Sequence, residues 1–553
     1  MVRDEYELVE DVLNGVMSRR QLITRLMAAG VALPTIVGIL TETGLGGEAE
    51  AAQLAAPALA PKRGGTLKIG YLVPAADVDP VTMFNEGAIL TAQLSMEYLC
   101  YPRPDYSLAK KLAVSWHAPK PDTWIFNLRK GVKWHNGKPF TADDVVYTFN
   151  LLTDPATNSA ALSAFKGILS KGHTRKIDAH TVQFHLDRGY SGFPYLVSAL
   201  TYNSAILPKG YKVGQFIKGG IGTGPFILTG YTPKVGATYK KNPHYWAKGL
   251  PYLNGVHIKY YGADQATVLG LQAGEVDIFP NATYQGGQAL FSDSNLRILR
   301  NPGSAYREFH MRVDKSPFTD KRVRQAVAYS LDRPALVKSL LNGLGQVGND
   351  HGFAPVFGPL SAGAKKVPQR KQDIAKAKQL LAAAGHPNGI DVTLTFENYL
   401  EIPQYAVIIK EQCKAAGINV TLNGEDQNTY YGSGDNQPWL LVPMGIVDWA
   451  PRGTPSQLIT PAYLSSSIPP PFSGWNSAHW SNKTFDRLIA NSDKEINKTK
   501  YNADVYQAAK IMNDEVPAVI AYWINDLHAL KKTVHGVPNG PGPYPDFSAT
   551  WIG

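Results

Sequence analysis

Polar and apolar positions alternate with a period of two over residues 66–70, 123–129 and 181–186, which predicts strands half buried on one face. Apolar residues recur at helical spacing over 89–99, 320–341, 373–384, 401–416, 483–493 and 500–514, which predicts helices. Further strands are expected at 391–397, 418–422 and 439–445. Thr141, followed by Asp143 and Asp144, reads as a helix start, because carboxylates in a first turn oppose the helix dipole. Between 255 and 280 a strand (256–261), a helix (263–273) and a strand (276–279) follow one another. This βαβ-like unit predicts α/β architecture. Pro302-Gly303 reads as an interdomain turn. The stretch 451–480, with Pro469-Pro470-Pro471, reads as a long covering loop.

The N-terminal segment has a different grammar. Residues 26–40 (LMAAGVALPTIVGIL) form an apolar run of 15 positions, short of the about 20 a spanning helix needs. The pair Arg19-Arg20 in SRRQLI precedes it, and Ala49-Glu50-Ala51 follows. A basic pair, a modest apolar run and a small-x-small site make an export signal, similar to a twin-arginine signal over 1–51. A Sec signal is the alternative. No cysteine stands near the cleavage point, so no lipid anchor is expected there. Residues 52–63, rich in Ala and Pro, read as a flexible leader, with order beginning at Gly64-Gly65.

A chain of 553 residues exceeds one core, which stops growing near about 250–300 residues, so several domains are expected. The net charge is +10; residues 1–51 hold four basic and eight acidic side chains, −4, which leaves +14 for the rest. That charge is dispersed, with no Lys/Arg block, and nucleic-acid binding is not expected. The 28 Tyr and 10 Trp suit both cores and the walls of a ligand cleft. Cys100 and Cys413 are read as two separate buried thiols. The 13 His form no metal-ligand spacing, and no Gly-x-Ser-x-Gly, His-Glu-x-x-His or Walker A motif is present. Neither a metal, a cofactor nor a catalytic residue is expected. Gly222 and Gly224 invite a phosphate-loop reading, but Pro225 follows and no basic residue accompanies them. His135, in His135-Asn136-Gly137, reads as a turn residue rather than a metal ligand.

Several blocks carry a resemblance. They are RGGTLK (63–68), WIFNLRKGVKWHNGKPFTADDV (124–145), GTGPF (222–226) with KNPHYW (241–246), DKRVRQA (320–326) with LDR (331–333), and AKAKQLLAAAG (375–385). Together they resemble bacterial extracellular solute-binding family 5, the dipeptide-, oligopeptide- and nickel-binding proteins of ABC importers. The resemblance implies a two-lobed α/β periplasmic-binding-protein fold of the class II, cluster C type. Lobe I would comprise 64–107, 221–320 and 526–553, with a subdomain inserted at 108–220, and lobe II would span 321–525. It implies a soluble, monomeric periplasmic protein that is not an enzyme. Its partners would be a small-molecule ligand, a peptide first, and the ABC permease subunits of the inner membrane. A nickel chelate, haem, an opine or an oligosaccharide is the alternative ligand.

The resemblance also suggests a site. Peptide binders of the family pair an aspartate in an aromatic strand-to-loop segment with the peptide α-ammonium. Here the segment is MGIVDWAP (444–451), so Asp448 takes that role, with Trp449 and Met444 beside it. Burying an ammonium demands an anion, and a charge-assisted hydrogen bond is strong and directional. The family's Asp-Tyr-Pro-Asp-Pro is absent; Arg452 stands in the altered stretch, either as an exposed loop residue or against a ligand carboxylate. Phe84, Asn85, Glu86, Tyr306, Trp475, Tyr522 and Trp523 are lining candidates by position.

Overall fold

The computed structural model describes residues 60–74, 78–432, 436–469, 474–542 and 544–553, plus isolated positions between 22 and 39. The export-signal reading, residues 52–59 of the leader, and Pro470-Pro471 lie outside the described residues. Residues 1–62 and 63–553 form two compact units; the fold below is that of the second.

Eleven strands build one sheet. The first five are β1 (Thr66–Leu72), β2 (Phe226–Thr232), β3 (Gly236–Lys241), β4 (Gly255–Tyr261) and β5 (Ile278–Phe279). Then come β6 (Leu296–Met311), β7 (Gln346–Val347), β8 (Ile390–Glu397), β9 (Ile418–Glu425), β10 (Met444–Trp449) and β11 (Ala518–Lys531). Their order is β9-β8-β10-β6-β11-β5-β1-β4-β3-β2, with β7 added to β11. The predicted βαβ unit is present, and β1 lies between its strands, parallel to both.

β6 and β11 run 16 and 14 residues, against about 5–6 for an ordinary strand. They join the two halves of the sheet. Their antiparallel ladder holds register from Leu296↔Lys531 to Asn301↔Asp526, breaks, and resumes at Ala305↔Ile524. Pro302-Gly303, read as a turn, is instead this break inside a continuous strand. Pro302 has no N–H to give the ladder, and a Cβ on Gly303 would meet Ile524 O at 2.2 Å, so the chain kinks without leaving the sheet.

A separate four-stranded antiparallel sheet, Ala113–Lys120, Thr123–Leu128, Thr181–His185 and Thr174–Asp178 in spatial order, arises between β1 and β2. Its strand Thr123–Leu128 buries Trp124, Phe126 and Leu128 on one face, as the alternation predicts. Helix Ala142–Leu152 starts at Thr141 with the reciprocal capping pair to Asp144 and lays Phe149 against Phe184.

The family-like blocks serve packing. A Cβ on Gly222 would come within 1.7 Å of Ser95 O, so these glycines admit a close backbone crossing and not a phosphate. His135 is held between Gly220 O (3.1 Å) and Gly224 O (3.0 Å). Buried Glu97 accepts hydrogen bonds from Thr223 Oγ1 (2.9 Å), Tyr245 Oη (2.8 Å) and Trp246 Nε1 (2.8 Å), which ties GTGPF to KNPHYW. Asp320 and Asp332 cap the starts of helices Lys321–Tyr329 and Arg333–Leu341. Cys100 and Cys413 are free and buried.

Two further expectations are corrected. Residues 438–441 form a helical turn, because Pro438 opens it at the first helical position, and the strand expected at 439–445 is β10, Met444–Trp449. The long loop 451–480 contains helix Pro455–Tyr463, capped by Thr454 and led by Pro455.

Candidate ligand-binding site

The site is built where β6 and β10 pair. In their register Arg307 faces Asp448 and Tyr306 faces Trp449. Because successive strand residues point to opposite faces, Asp448 and Trp449 part company, each joining a different wall.

On one face, Arg307 Nη1 donates to Asp448 Oδ1, and Arg307 Nε lies 3.0 Å from Glu401 Oε1. The Arg307 and Glu401 side chains are each 5% exposed, that of Asp448 27%, so Asp448 is the member of the trio that solutes reach. Tyr522 Oη donates to Glu401 Oε1 (3.2 Å). The backbone N–H of Asp448 donates to Tyr431 Oη (3.2 Å), which donates to Glu397 Oε1 (2.7 Å); Gln427 Nε2 donates to Glu397 Oε2 (2.9 Å). Burial pushes the Asp448 carboxyl up, opposed by Arg307. Burial also pushes Glu397 up, opposed by the Tyr431 hydrogen bond. Burial works against the Arg307 charge, and Asp448 and Glu401 more than offset it.

On the other face, Trp449 stacks on Tyr306 at 6.2 Å and 6°, with Trp475 tilted against it at 6.0 Å. Tyr306 meets Trp523 at 4.8 Å. Tyr306, Tyr522, Trp523 and Met444 are almost wholly buried, while Trp475 is 43% exposed. The structure thus places the first four in the packing around β6, β10 and β11, and leaves Trp475 open to solvent.

Glu308 lies beneath this aromatic wall, accepting from Tyr463 Oη (2.7 Å) and Ser477 Oγ (2.9 Å). Burial pushes its carboxyl up from 4.5 to about 7. A carboxyl raised in the folded state loses stability as pH climbs from its ordinary value through the folded one. Glu308→Gln is therefore expected to stabilise the protein by about 3 kcal/mol at pH 8 and by close to nothing at pH 4, read from urea midpoints at the two pH values.

Arg452 is half buried, not exposed. Its guanidinium contacts Pro451 O (3.1 Å) and forms no ion pair among the described residues. Burial lowers its pKa, and Tyr306, Tyr202 and Asp448 act on it electrostatically. The loop that carries it is fixed: Ser304 Oγ bridges its backbone, Tyr106 Oη donates to Gly453 O (2.7 Å), and Tyr190 Oη meets Thr454 Oγ1 (2.7 Å). The remaining candidates fall elsewhere. Phe84 is 64% exposed; Asn85 caps helix Glu86–Gln93; Glu86 accepts from Tyr71 and Asn281.

Arg307, Glu401, Glu397 and Tyr431 were not foreseen. A signal existed for the first: Arg307-Glu308 stands between Tyr306 and Phe309, and charges set among aromatic residues need partners.

The profile of bacterial extracellular solute-binding proteins, family 5 Middle, matches residues 107–468. The chain belongs to this family. The Escherichia coli K12 glutathione-binding protein GsiB is 28% identical over 396 residues, covering 70% of this chain and 75% of GsiB. The structure of HbpA2 from Haemophilus parasuis superposes with a TM-score of 0.76 at 21% identity, over 88% of this chain and 100% of that one. Helicobacter pylori DppA, solved with the peptide STSA, gives 0.66 at 20% identity, over 89% and 98%. The fold of this family 5 protein is therefore the two-lobed one. Among the described residues no helix is long and apolar enough to cross a membrane.

Proposed function

We propose that this family 5 protein is the periplasmic receptor of an ABC importer. It closes its lobes over a peptide or peptide-like solute and passes that solute, unaltered, to permease subunits in the inner membrane. Charge balance carries the reading. Three carboxylates, Glu397, Glu401 and Asp448, gather around Arg307, and buried carboxylates in excess call for a cation. An α-ammonium at Asp448 supplies it. Arg452, unpaired and nearby, suits the carboxylate at the other end. The glutathione-binding relative and the peptide-bound neighbour support a peptide.

In this account the first lobe comprises 64–107, 221–320 and 526–553 with the subdomain 108–220, and the second 321–525. The register break in the crossing strands is the hinge. Asp448 and Trp475 contact the guest from one side and Phe84, Asn85 and Glu86 from the other, while Trp449, 3% exposed, backs Trp475. Tyr306, Met444, Tyr522 and Trp523 support that surface from within. Residues 1–51 direct export, by the twin-arginine route, and the mature protein works as a monomer without turnover.

The test is native mass spectrometry of protein exported by a bacterial host. A small organic guest with a primary amine, released at unchanged mass on unfolding, is expected. A guest without a basic nitrogen would contradict the assignment.

A further inference from the structure

A second acidic cluster lies on the first-lobe side of the crossing strands. Asp526, on β11, stands opposite Asn301 at the last ladder pair before the register break. It is 9% exposed, and its Oδ2 has no hydrogen-bond partner among the described residues. Asn301 turns its carboxamide to His528, whose Nδ1 accepts from Asn281 N (3.1 Å). Asn281 Nδ2 donates in turn to Glu86 Oε1 (2.7 Å), and Tyr71 Oη donates to Glu86 Oε2 (3.2 Å). The charge of Glu86 acts on Asp526 and that of Asp264 on Glu86. Among the described residues neither carboxyl forms an ion pair.

Other buried acids in this chain are better served. Asp350 is shared by Arg333 and Arg370, Asp493 meets Arg188, Asp546 meets Lys111, and Glu308 has both oxygens bonded. Two neighbouring carboxyls without a cation, one with an orphaned oxygen, cost stability that a purely structural role leaves unexplained. Burial and then Glu86 push Asp526 up to about 8, and a cation beside it would favour the ionised form.

The cluster adjoins the ligand site. Glu86 follows exposed Phe84, and the Nδ2 of Asn85 is buried without a partner. The link runs along β6: Asn301 pairs with Asp526, Ser304 three residues on holds the backbone of Arg452, and Arg307 holds Asp448.

We propose that Glu86 and Asp526 form a subsite for a second cation of the solute, an ammonium or guanidinium on a side chain, so that the preferred solute is a basic peptide with a free α-amine. This rests on the importer reading. A charge-assisted pair of this kind favours lysine over an uncharged chain of equal length by about tenfold or more in affinity.

The test is calorimetric titration with alanine tripeptides carrying lysine at each position in turn, each against its norleucine twin. One lysyl peptide is expected to bind at least about tenfold more tightly than its twin. In Asp526→Asn and Glu86→Gln that ratio falls towards one. Equal binding of every lysyl and norleucine pair by the wild-type protein overturns the subsite and leaves the importer reading standing, with no variant required. Agmatine and cadaverine, scored by thermal shift, separate the remaining outcomes. A shift lost in Asp526→Asn without any peptide binding upholds the subsite against the peptide reading. No shift and no peptide binding removes both.

Discussion

Asp448→Asn is expected to weaken binding of a free-amine peptide by about a hundredfold, about 2.7 kcal/mol. The substitution keeps the shape of the side chain and removes its charge. Arg307 stays paired with Glu401 at 3.0 Å, so the fold is retained and the loss reads the ligand contact rather than collapse of the site. The effect is large because the ammonium is taken from water into a wall where burial already opposes ionisation. Quenching or enhancement of tryptophan emission from Trp449 and exposed Trp475 reports it, alongside an unchanged thermal melt.

Asp350→Asn should cost about 3–5 kcal/mol of stability, with little change in affinity. Asp350 accepts from Arg333 Nη2 at 2.8 and 2.6 Å, from Arg370 Nε at 2.8 Å, and from the Ile520 backbone at 3.2 Å. The Asp350 and Arg333 side chains are fully buried and that of Arg370 nearly so. The carboxylate is the anion holding two guanidiniums to β11. Its φ of +56° is one asparagine tolerates, so the substitution isolates the charge. Urea unfolding measures it as a lower midpoint at unchanged slope.

Much of this was legible in the sequence where one face of an element is wet. Residues 123–128 alternate because one side packs on Phe184 and the other meets water, and Thr141 announces a helix because its capping chemistry is local. β11 was missed for the opposite reason. AVIAYWINDLHALK is buried on both sides, so it shows no alternation to read. Pro302-Gly303 carried turn chemistry, yet the long ladder around it kept the chain in the sheet. The placement of Asp448 and Trp449 shows the same limit. Adjacent in sequence, they seemed one surface; the pleat sends them to opposite faces, and Asp448 meets Arg307, which Glu401 also holds, a trio only the fold brings together.

The most direct measurement of the central claim is a double-mutant cycle between Asp448 and the peptide amine. Wild type and Asp448→Asn are each titrated with one peptide and with its N-acetyl form. A coupling of at least about 1.5 kcal/mol, with acetylation harmful to the wild-type protein and nearly indifferent to the variant, is the predicted result. Equal losses on acetylation in both proteins would mean that the amine is held elsewhere, and would contradict the account.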